Sequence, residues 1–404
     1  MRTTAVIAFA TLAAAAVSSF PANAQIAGNR IRIGVLTDFN GAASSLSGKG
    51  SAIAARLAAE DFAKELPGVT IEILEADHQL KADVASQIAR QWVDSGVNAI
   101  ADVVSSSAAL AVNTVVNNSK AVFLVSGGGT DDLTGKACTP NTIHWTYDTW
   151  SLANSTARAL VKTGGDSWFF ITADYAFGHA LEKQSTAVIN SMGGKVVGGV
   201  RHPFITADHS SYILAAQASG AKVIGLANSA SDAANSIKQA NEFGVTKKQR
   251  LAGLGLFITD VYGIGATVAQ GLYVTESFYW GLNDGTRAFS VRWAQRMGTT
   301  VRPTSIQAGV YGATLHYLKA VKAANTTDGP KVVAKMKEMP TDDALFGKGR
   351  IRADGRKIHN MYLFQVQESK DPKEPWDIYR AVQTVSGDEA FRPLADGGCP
   401  LVKN

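Results

Sequence analysis

Residues 99–130 read AIADVVSSSAALAVNTVVNNSKAVFLVSGGGT and contain one strand–helix–strand unit. The apolar run 99–104 predicts a buried strand, the segment from Ala108 has helical spacing, and 122–125 predicts a second strand. Three serines separate the first strand from the helix, and three glycines follow the second strand. Because the helix links one strand to the next, the two strands are expected to pair in parallel.

The same alternation extends in both directions along the chain and divides into two series, before and after Tyr147. Further strands are predicted at 31–36, 69–74, 168–171, 195–200, 223–227 and 251–256. Two series indicate two doubly wound α/β lobes, each with a parallel central sheet covered by helices on both faces. After them, 289–297 and 306–323 predict helices, and 361–366 with 378–385 predict an antiparallel strand pair.

The first two dozen residues have the pattern of a secretory signal peptide. Arg2 supplies a positive start, Ala5 to Val17 form a short apolar run, and Ala22-Asn23-Ala24 fits cleavage after a small residue. We therefore predict a signal peptide at 1–24 and an exported protein. The alternative, a buried N-terminal helix, is disfavoured because an Ala/Ser-rich segment buries little apolar surface.

Composition excludes several classes of protein. With 46% hydrophobic and 18% charged residues, the chain is expected to fold rather than remain disordered. The formal net charge is only +5, and the lysines and arginines are scattered without interleaved aromatic residues. Nucleic acid is therefore not an expected partner.

The two cysteines, Cys138 and Cys399, predict one disulfide, because an exported chain with an even number of cysteines is formed in an oxidising compartment. The alternative is two free thiols. A bridge across so long a segment would stabilise the fold by about 5 kcal/mol in the loop-entropy description.

Two polar segments that follow adjacent strands could hold an anion. Ser105-Ser106-Ser107 open a helix, where hydroxyls and free N–H groups favour negative charge. Ser126-Gly-Gly-Gly-Thr130 follows the next strand, and its glycines allow a ligand to approach the backbone. The alternative for each is an N-cap and a tight turn; together they favour a carboxylate cradle.

Motifs for catalysis and metal binding are not found. The sequence has no G-x-S-x-G elbow, no Walker loop and no complete dinucleotide-binding fingerprint. The seven histidines form no H-x-x-x-H pair, and His202 and His209 flank a proline-containing loop, a poor template for a metal. Asp131-Asp132 are interpreted as solvated turn residues. No enzyme activity, cofactor or metal is expected.

Several segments resemble, in order and spacing, the type I periplasmic solute-binding proteins of the leucine/isoleucine/valine-binding kind, which supply ABC importers. The similarity covers nearly the whole mature chain. It rests on Ile33-Gly-Val-Leu-Thr-Asp38, Leu46-Ser-Gly-Lys-Gly50, Val103-Val-Ser-Ser-Ser107, Phe123-Leu-Val-Ser-Gly-Gly-Gly-Thr130, Thr172-Ala-Asp-Tyr-Ala-Phe-Gly178, Ile237-Lys-Gln-Ala-Asn-Glu-Phe-Gly244 and Gly271-Leu-Tyr-Val-Thr275.

The resemblance implies two lobes that are joined by three crossovers and close on a ligand by a hinge. The crossovers are expected near Tyr147, Thr275 and Tyr362. Lobe 1 would then comprise 25–147 and 276–362, and lobe 2 would comprise 148–275 and 363–404 with the C-terminal tail. The resemblance also implies a periplasmic location, an ABC permease as partner, and a monomer.

The resemblance also implies a set of ligand-binding residues. A serine at Ser105 and a threonine at Thr130 would hold the ligand carboxylate, helped by N–H groups near Gly128 and Gly129. The loop at Leu46-Ser47 would lie over the ligand. With the neighbouring serine and the contributions expected from lobe 2 and the aromatic cluster, the candidates are Leu46, Ser47, Ser105, Ser106, Gly128, Gly129, Thr130, Tyr175, Phe177, Asn228, Ser229, Phe257 and Tyr279.

One departure from the family pattern bears on the ligand. Amino-acid-binding relatives place an acidic residue after the last strand of the second lobe, to pair with the ligand ammonium. Here the segment reads Gly253-Leu-Gly-Leu-Phe-Ile-Thr259, and the first acidic residue is Asp260. A buried ammonium without a counter-charge would cost several kcal/mol.

The favoured ligand is therefore a small carboxylate without an amino group, with an aromatic acid as one form of it. A branched-chain or other amino acid stays open as the alternative within the family. From other classes of protein, an exported α/β hydrolase or a ligand-sensing module of a membrane receptor would share the scaffold.

Overall fold

A computed structural model describes residues 26–402. The predicted signal peptide lies outside this range. The strands are β1 (Arg30–Thr37), β2 (Thr70–Asp77), β3 (Ala99–Asp102), β4 (Val122–Val125), β5 (Thr142–His144), β6 (Ser167–Ala173), β7 (Lys195–His202), β8 (Val223–Ser229), β9 (Arg250–Gly255), β10 (Tyr273–Glu276), β11 (Thr341–Asp343), β12 (Gly347–Ile351), β13 (Lys357–Ile358), β14 (Met361–Val366) and β15 (Tyr379–Val385). The α-helices are α1 (Gly48–Phe62), α2 (Ala82–Asp94), α3 (Ser106–Val116), α4 (Thr149–Lys162), α5 (Ala176–Ser191), α6 (Ser210–Ala218), α7 (Ala230–Glu242), α8 (Ile258–Ile264), α9 (Ala266–Ala269), α10 (Asp284–Met297), α11 (Ser305–Ala324), α12 (Gly329–Glu338) and α13 (Gly387–Ala390).

The first lobe is built on a five-stranded parallel sheet of order β2-β1-β3-β4-β5. Successive side chains of a strand point to opposite faces, and β3 illustrates the result. Ala99 and Ala101 belong to the core shared with α1 and α11, whereas Ile100 packs with the helices α2 and α3. Both faces are thus covered, which explains why the strands read as continuous apolar runs.

The second lobe is built on a four-stranded parallel sheet of order β7-β6-β8-β9. Its strands alternate with the helices α5, α6 and α7, as the sequence pattern predicts. The two parallel sheets confirm the predicted fold class. The boundaries of the two lobes stay a prediction.

The remaining strands are antiparallel. β14 pairs with β15 over Met361↔Val385 to Val366↔Tyr379, which confirms the predicted strand pair, and β10 pairs with β14 on its other edge. The predicted helices at 289–297 and 306–323 are confirmed within α10 and α11. The strand β5, the helix α12 and the small sheet β11-β12-β13 are elements that the sequence pattern did not predict. Within residues 26–402, no helix is both long and apolar enough to cross a bilayer.

The C-terminal segment is fastened to the first lobe at Asp131. Cys138 and Cys399 form the predicted disulfide, with Cα atoms 5.6 Å apart. The expectation that Asp131 is a solvated turn residue is wrong, because it is 3% exposed. Its carboxylate pairs with Arg392 from the C-terminal segment and accepts hydrogen bonds from Thr149 Oγ1 (3.0 Å) and Gln184 Nε2 (2.7 Å).

Candidate functional site

A cleft lies between the carboxyl ends of the two parallel sheets, where open α/β sheets bind ligands. The space between its lining atoms, open solvent included, is about 490 Å³, and about 30 Å³ of it is wide enough for the centre of a water molecule. The residues that line it come from both lobes and, within the described chain, none of them is charged. They are Ala42, Ala43, Leu46, Leu80, Val104, Ser105, Ser106, Gly127, Tyr147, Tyr175, Phe177, Phe204, Ser229, Ala230, Ser231 and Phe257.

Ser105 stands at the N-cap of α3 and lines the cleft. Its hydroxyl accepts a hydrogen bond from Ala108 N–H at 3.4 Å, a long contact that leaves the O–H free to donate. The first N–H groups of a helix have no partner within it. The N-terminus of α3 therefore presents donors and a partial positive charge to the cleft.

The backbone before Ser105 is strained. Asp102 and Val103 have φ of 81° and 59°, a conformation that is unfavourable for a β-branched residue. It is held by hydrogen bonds from Val103 N–H to Leu36 O and from Ser105 N–H to Val103 O, each 2.9 Å. This sharp turn brings Ser105 from the buried strand to the cleft.

Two helices of the second lobe also begin at the cleft with a hydroxyl-bearing N-cap residue. Tyr175 is the N-cap of α5, and Ser229 is the N-cap of α7. Both side chains line the cleft, and the Tyr175 hydroxyl lies 3.4 Å from Ser229 Oγ. With α3, three helix N-termini from the two lobes converge on one space, and their dipoles all favour negative charge there.

Five aromatic rings form the rest of the wall. The rings of Tyr175 and Phe204 stack, with centroids 4.2 Å apart and planes 24° apart. Tyr147 packs against Phe257 at 4.9 Å, and its hydroxyl donates to Gly127 O at 3.1 Å. Burial raises the pKa of Tyr147 well above its ordinary value, so this hydroxyl stays neutral. The fifth ring is Phe177.

Gly129 lies where the two lobes meet. A Cβ atom on it would lie 2.7 Å from the Phe177 ring and 2.8 Å from the Tyr147 ring, so only glycine fits there. A Cβ on Gly128 would lie 2.4 Å from the Ala109 side chain. Both glycines lie behind the cleft surface, since neither belongs to its lining.

Of the residues predicted from the sequence, the structure brings seven together at the cleft. They are Leu46, Ser105, Ser106, Tyr175, Phe177, Ser229 and Phe257. Ser106 also connects the two segments of the predicted anion cradle, because its hydroxyl accepts a hydrogen bond from Thr130 N–H at 3.0 Å.

Four other predicted side chains point elsewhere. The Ser47 hydroxyl is buried against Thr37, Ser51 and Asp102. Thr130 Oγ1 caps the 3-10 turn Asp131–Thr134 by accepting from Asp132 N–H. The Asn228 amide bonds to Ser236 Oγ at 3.1 Å and contacts His202. Tyr279 belongs to an aromatic cluster beside β14 and donates to Asp377 at 2.8 Å.

Asp260, the first acidic residue after β9, does not face the cleft. Its carboxylate turns back and accepts a hydrogen bond from Phe257 N–H at 3.0 Å. It is buried, and burial raises its pKa to about 7. Asp102 lies behind the cleft floor, and burial likewise raises its pKa to about 6. The described residues that line the cleft therefore include no carboxylate.

Leu80, Tyr147 and Phe204 line the cleft but were not predicted. Leu80 follows β2 and Phe204 follows β7, each at the carboxyl end of its strand. Ser105 was predicted because it follows a strand of a parallel sheet, and the same criterion predicts both of these residues. Tyr147 was assigned only to a crossover, although it follows β5 in the same way.

The model of the periplasmic binding protein family matches residues 30–371. A crystal structure of a periplasmic binding protein from Burkholderia mallei is 44% identical, with a TM-score of 0.89; the match covers 93% of this chain and 100% of that one. A branched chain amino acid ABC transporter periplasmic ligand-binding protein from Burkholderia xenovorans LB400 is 38% identical, with a TM-score of 0.82, over 92% and 99% of the two chains. A Leu/Ile/Val-binding protein homolog 6 from Brucella melitensis is 23% identical over 89% of this chain and 93% of its own length.

Proposed function

The chain belongs to the periplasmic binding protein family, and from this premise we propose that it delivers a small carboxylate without an amino group, favouring an aromatic acid, to an ABC importer. The family consists of non-enzymatic, extracytoplasmic solute-binding proteins of ABC transporters. The permease is therefore the implied partner. One observation carries the proposal: three helix N-termini converge on a cleft whose described lining has aromatic rings and no charged side chain.

The anionic end of the solute is assigned to Ser105 and the first turn of α3. Ser105 and Ser106 both line the cleft, and the orphan N–H groups of the helix point the same way. Hydrogen bonds to a carboxylate are about twice as strong as those between neutral groups. An anion can therefore be held here without an arginine or lysine.

An ammonium group would find no carboxylate in the described lining of this cleft. The nearest acidic residue after β9, Asp260, is committed to capping Phe257 N–H. Bringing an unpaired ammonium into the cleft would cost several kcal/mol, in addition to its repulsion from three helix N-termini. This supports a solute without an amino group.

The rest of the solute is assigned to the aromatic wall. Tyr175 and Phe204 already stack face to face, and Phe177 and Phe257 complete the apolar surface. Flat rings present large apolar faces that another ring covers well, in offset or edge-to-face arrangements. A planar aromatic acid therefore matches the wall better than a branched aliphatic acid.

The residues that line the cleft come from both lobes, so we expect the lobes to close around the solute. Leu46 and Ser105 come from the first lobe, whereas Tyr175, Ser229 and Phe257 come from the second. A solute that contacts both sets stabilises the closed arrangement, which is the hinge mechanism of two-lobed receptors. Opening releases the solute unchanged.

Pairs of solutes that differ only by the amino group test the proposal directly. We expect 3-phenylpropanoate to bind, and to raise the melting temperature, more than phenylalanine does, and 4-methylpentanoate more than leucine. Benzoate and cinnamate belong in the same calorimetric and thermal-shift panel. If the amino acid of each pair binds more tightly than its deaminated partner, the proposal is wrong.

The Ser105→Ala variant shows whether the anion lies where it is assigned. Loss of this donor should weaken the best carboxylate ligand by about tenfold or more. Ser107→Ala is the matched control, because Ser107 lies in the same turn of α3 but outside the cleft lining. Equal affinities for the two variants would remove Ser105 from the site.

The alternative solute is a branched-chain amino acid, and the relative from Burkholderia xenovorans described above, named for branched chain amino acids, favours it. It requires a counter-charge for the ammonium, and the described lining of the cleft contains no acidic residue. If leucine binds to the wild-type protein and equally well to the Asp260→Asn variant, the result supports this alternative and gives Asp260 no role in it.

A further inference from the structure

Two histidines and an aspartate meet beneath the segment 203–209, which connects β7 to α6. His202 ends β7, His209 precedes α6, and Asp232 lies in the first turn of α7. All three are buried. One ligand atom of each residue lies within 4.8 Å of those of the other two, although the residues are far apart in the sequence.

The imidazole of His209 has no partner among the described residues. It is fully buried, yet neither of its ring nitrogens makes a hydrogen bond. A neutral imidazole always has one N–H donor and one lone pair. Burying both without partners is unfavourable, so this ring is expected to bind a species that the protein atoms do not supply.

The ring of His202 is oriented as a metal ligand would be. Its Nδ1 lies 2.9 Å from Pro203 O, and a carbonyl can only accept, so the proton is on Nδ1. The lone pair is then on Nε2, on the other side of the ring. A backbone carbonyl that fixes the tautomer in this way is the usual outer partner of a histidine bound to metal.

The carboxylate of Asp232 is held in place by the same segment. Its oxygens accept hydrogen bonds from Ile205 N–H (3.0 Å) and Thr206 N–H (2.7 Å). Each oxygen retains a further lone pair. The carboxylate is thus oriented by two donors while it keeps the capacity to bind a cation.

Asn228 provides a fourth position. Its side-chain nitrogen lies 3.3 Å from His202 Nε2, and its buried side-chain oxygen has no described partner. A half turn of the amide exchanges these two atoms and gives up the hydrogen bond from the side-chain nitrogen to Ser236 Oγ. In a tetrahedral site with metal bonds of 2.0–2.1 Å, neighbouring ligand atoms lie about 3.4 Å apart, which matches this separation.

We propose that His202, His209, Asp232 and the side-chain oxygen of Asn228 form a binding site for a divalent transition metal, with Zn²⁺ as the favoured ion. Two imidazoles, one carboxylate and an amide oxygen suit a borderline metal and exclude a site built for Ca²⁺, which takes six to eight oxygens. This inference differs from the expectation drawn from histidine spacing, because the fold joins residues from three elements.

The site would act on the cleft through Phe204. This residue lies within the segment that the metal would fasten, and its ring stacks on Tyr175 at the cleft surface. A bound metal would fix the aromatic wall before a solute arrives. Any gain in solute affinity caused by the metal must equal the gain in metal affinity caused by the solute.

Metal binding is tested on untagged protein that has been treated with chelator and contains no solute. Calorimetry with Zn²⁺ is expected to give one site per chain, and a metal concentration 100 times the Kd should raise the melting temperature by about 3 °C. One equivalent of Co²⁺ should give the intense visible absorption of a tetrahedral complex. Weak octahedral absorption, or no saturation at one equivalent, would overturn the proposal.

Two histidine variants locate the ion. His209→Ala should weaken Zn²⁺ binding by at least about 100-fold, since loss of a ligand exceeds the effect of losing an outer partner. His179→Ala is the matched control, because the side chain of this histidine of the same lobe is 42% exposed and hydrogen-bonds to Asp174. Wild-type affinity in His209→Ala, or an equal loss in His179→Ala, would place the ion elsewhere. Because Zn²⁺ is measured without solute, either result leaves the carboxylate proposal intact.

Discussion

At Glu276, the last residue of β10, folding buries a carboxyl group among neutral partners. One oxygen accepts hydrogen bonds from Ile258 N–H (2.9 Å) and Tyr379 O–H (3.3 Å). Burial is the dominant effect and raises its pKa from an ordinary value near 4.5 to about 8. Between these two pH values the folded protein binds a proton that the unfolded chain has lost. The contribution of Glu276 to stability is therefore complete below about pH 4.5 and is lost as the pH rises through 8.

The Glu276→Gln variant tests this pH dependence. We expect wild-type protein to lose at least about 1 kcal/mol more free energy of unfolding than the variant between pH 5 and pH 8.5. Denaturant unfolding at both pH values measures the difference. Glu338→Gln is the control, since its side chain is largely exposed. Parallel curves for wild type and Glu276→Gln would contradict the assignment.

Residue types alone identified part of the cleft and missed the direction of several side chains. Ser105 and Ser106 could be predicted because they follow a strand and open a helix. Whether a neighbouring side chain faces the cleft depends on local backbone and on remote partners. Thr130 turns to cap the next 3-10 turn, and Ser47 turns towards Asp102, 55 residues away. Such partners become adjacent only after folding.

At the scale of elements, the parallel strands were predictable because burial on both faces leaves an uninterrupted apolar run. β5 has only three residues, β11 and β12 are mostly polar and partly exposed, and β13 has only two residues, so none of them produces an apolar run that stands out. α12 begins with a glycine and a proline, which read as a turn in the sequence. The predicted signal peptide, lobe boundaries and monomeric state stay predictions.

The disulfide between Cys138 and Cys399 can be tested by alkylation and by unfolding. Intact protein should take up no thiol-alkylating group until it is reduced, and two groups afterwards, as measured by mass. Reduction should lower the free energy of unfolding by up to about 5 kcal/mol, because the bridge closes a loop of 261 residues. The double variant Cys138→Ser/Cys399→Ser should match the reduced protein. Uptake of two groups without reductant would show free thiols.

At the scale of the whole molecule, Gly129 reports on contact between the lobes. The Gly129→Ala variant places a methyl group within 2.8 Å of rings on Tyr147 and Phe177 and so should hold the lobes apart. We expect solute affinity to fall by about tenfold or more and the radius of gyration with solute to stay at its unliganded value. Calorimetry and small-angle X-ray scattering measure the two effects.

Gly263→Ala is the matched control for this variant. A Cβ at Gly263 has no neighbour within 4 Å, so the added methyl should leave both quantities unchanged. If Gly129→Ala binds solute as well as Gly263→Ala does, the two lobes do not close through this contact.

The covalent link between Cys138 and Cys399 also determines how the molecule responds to a protease. Both lobes contain chain from within the bridged interval, including every strand of the second parallel sheet. One cut at any peptide bond in that interval leaves two polypeptides that still travel as a single particle until a reductant separates them. A protein cut once in this interval thus keeps both lobes attached, and the cut goes undetected on a non-reducing gel.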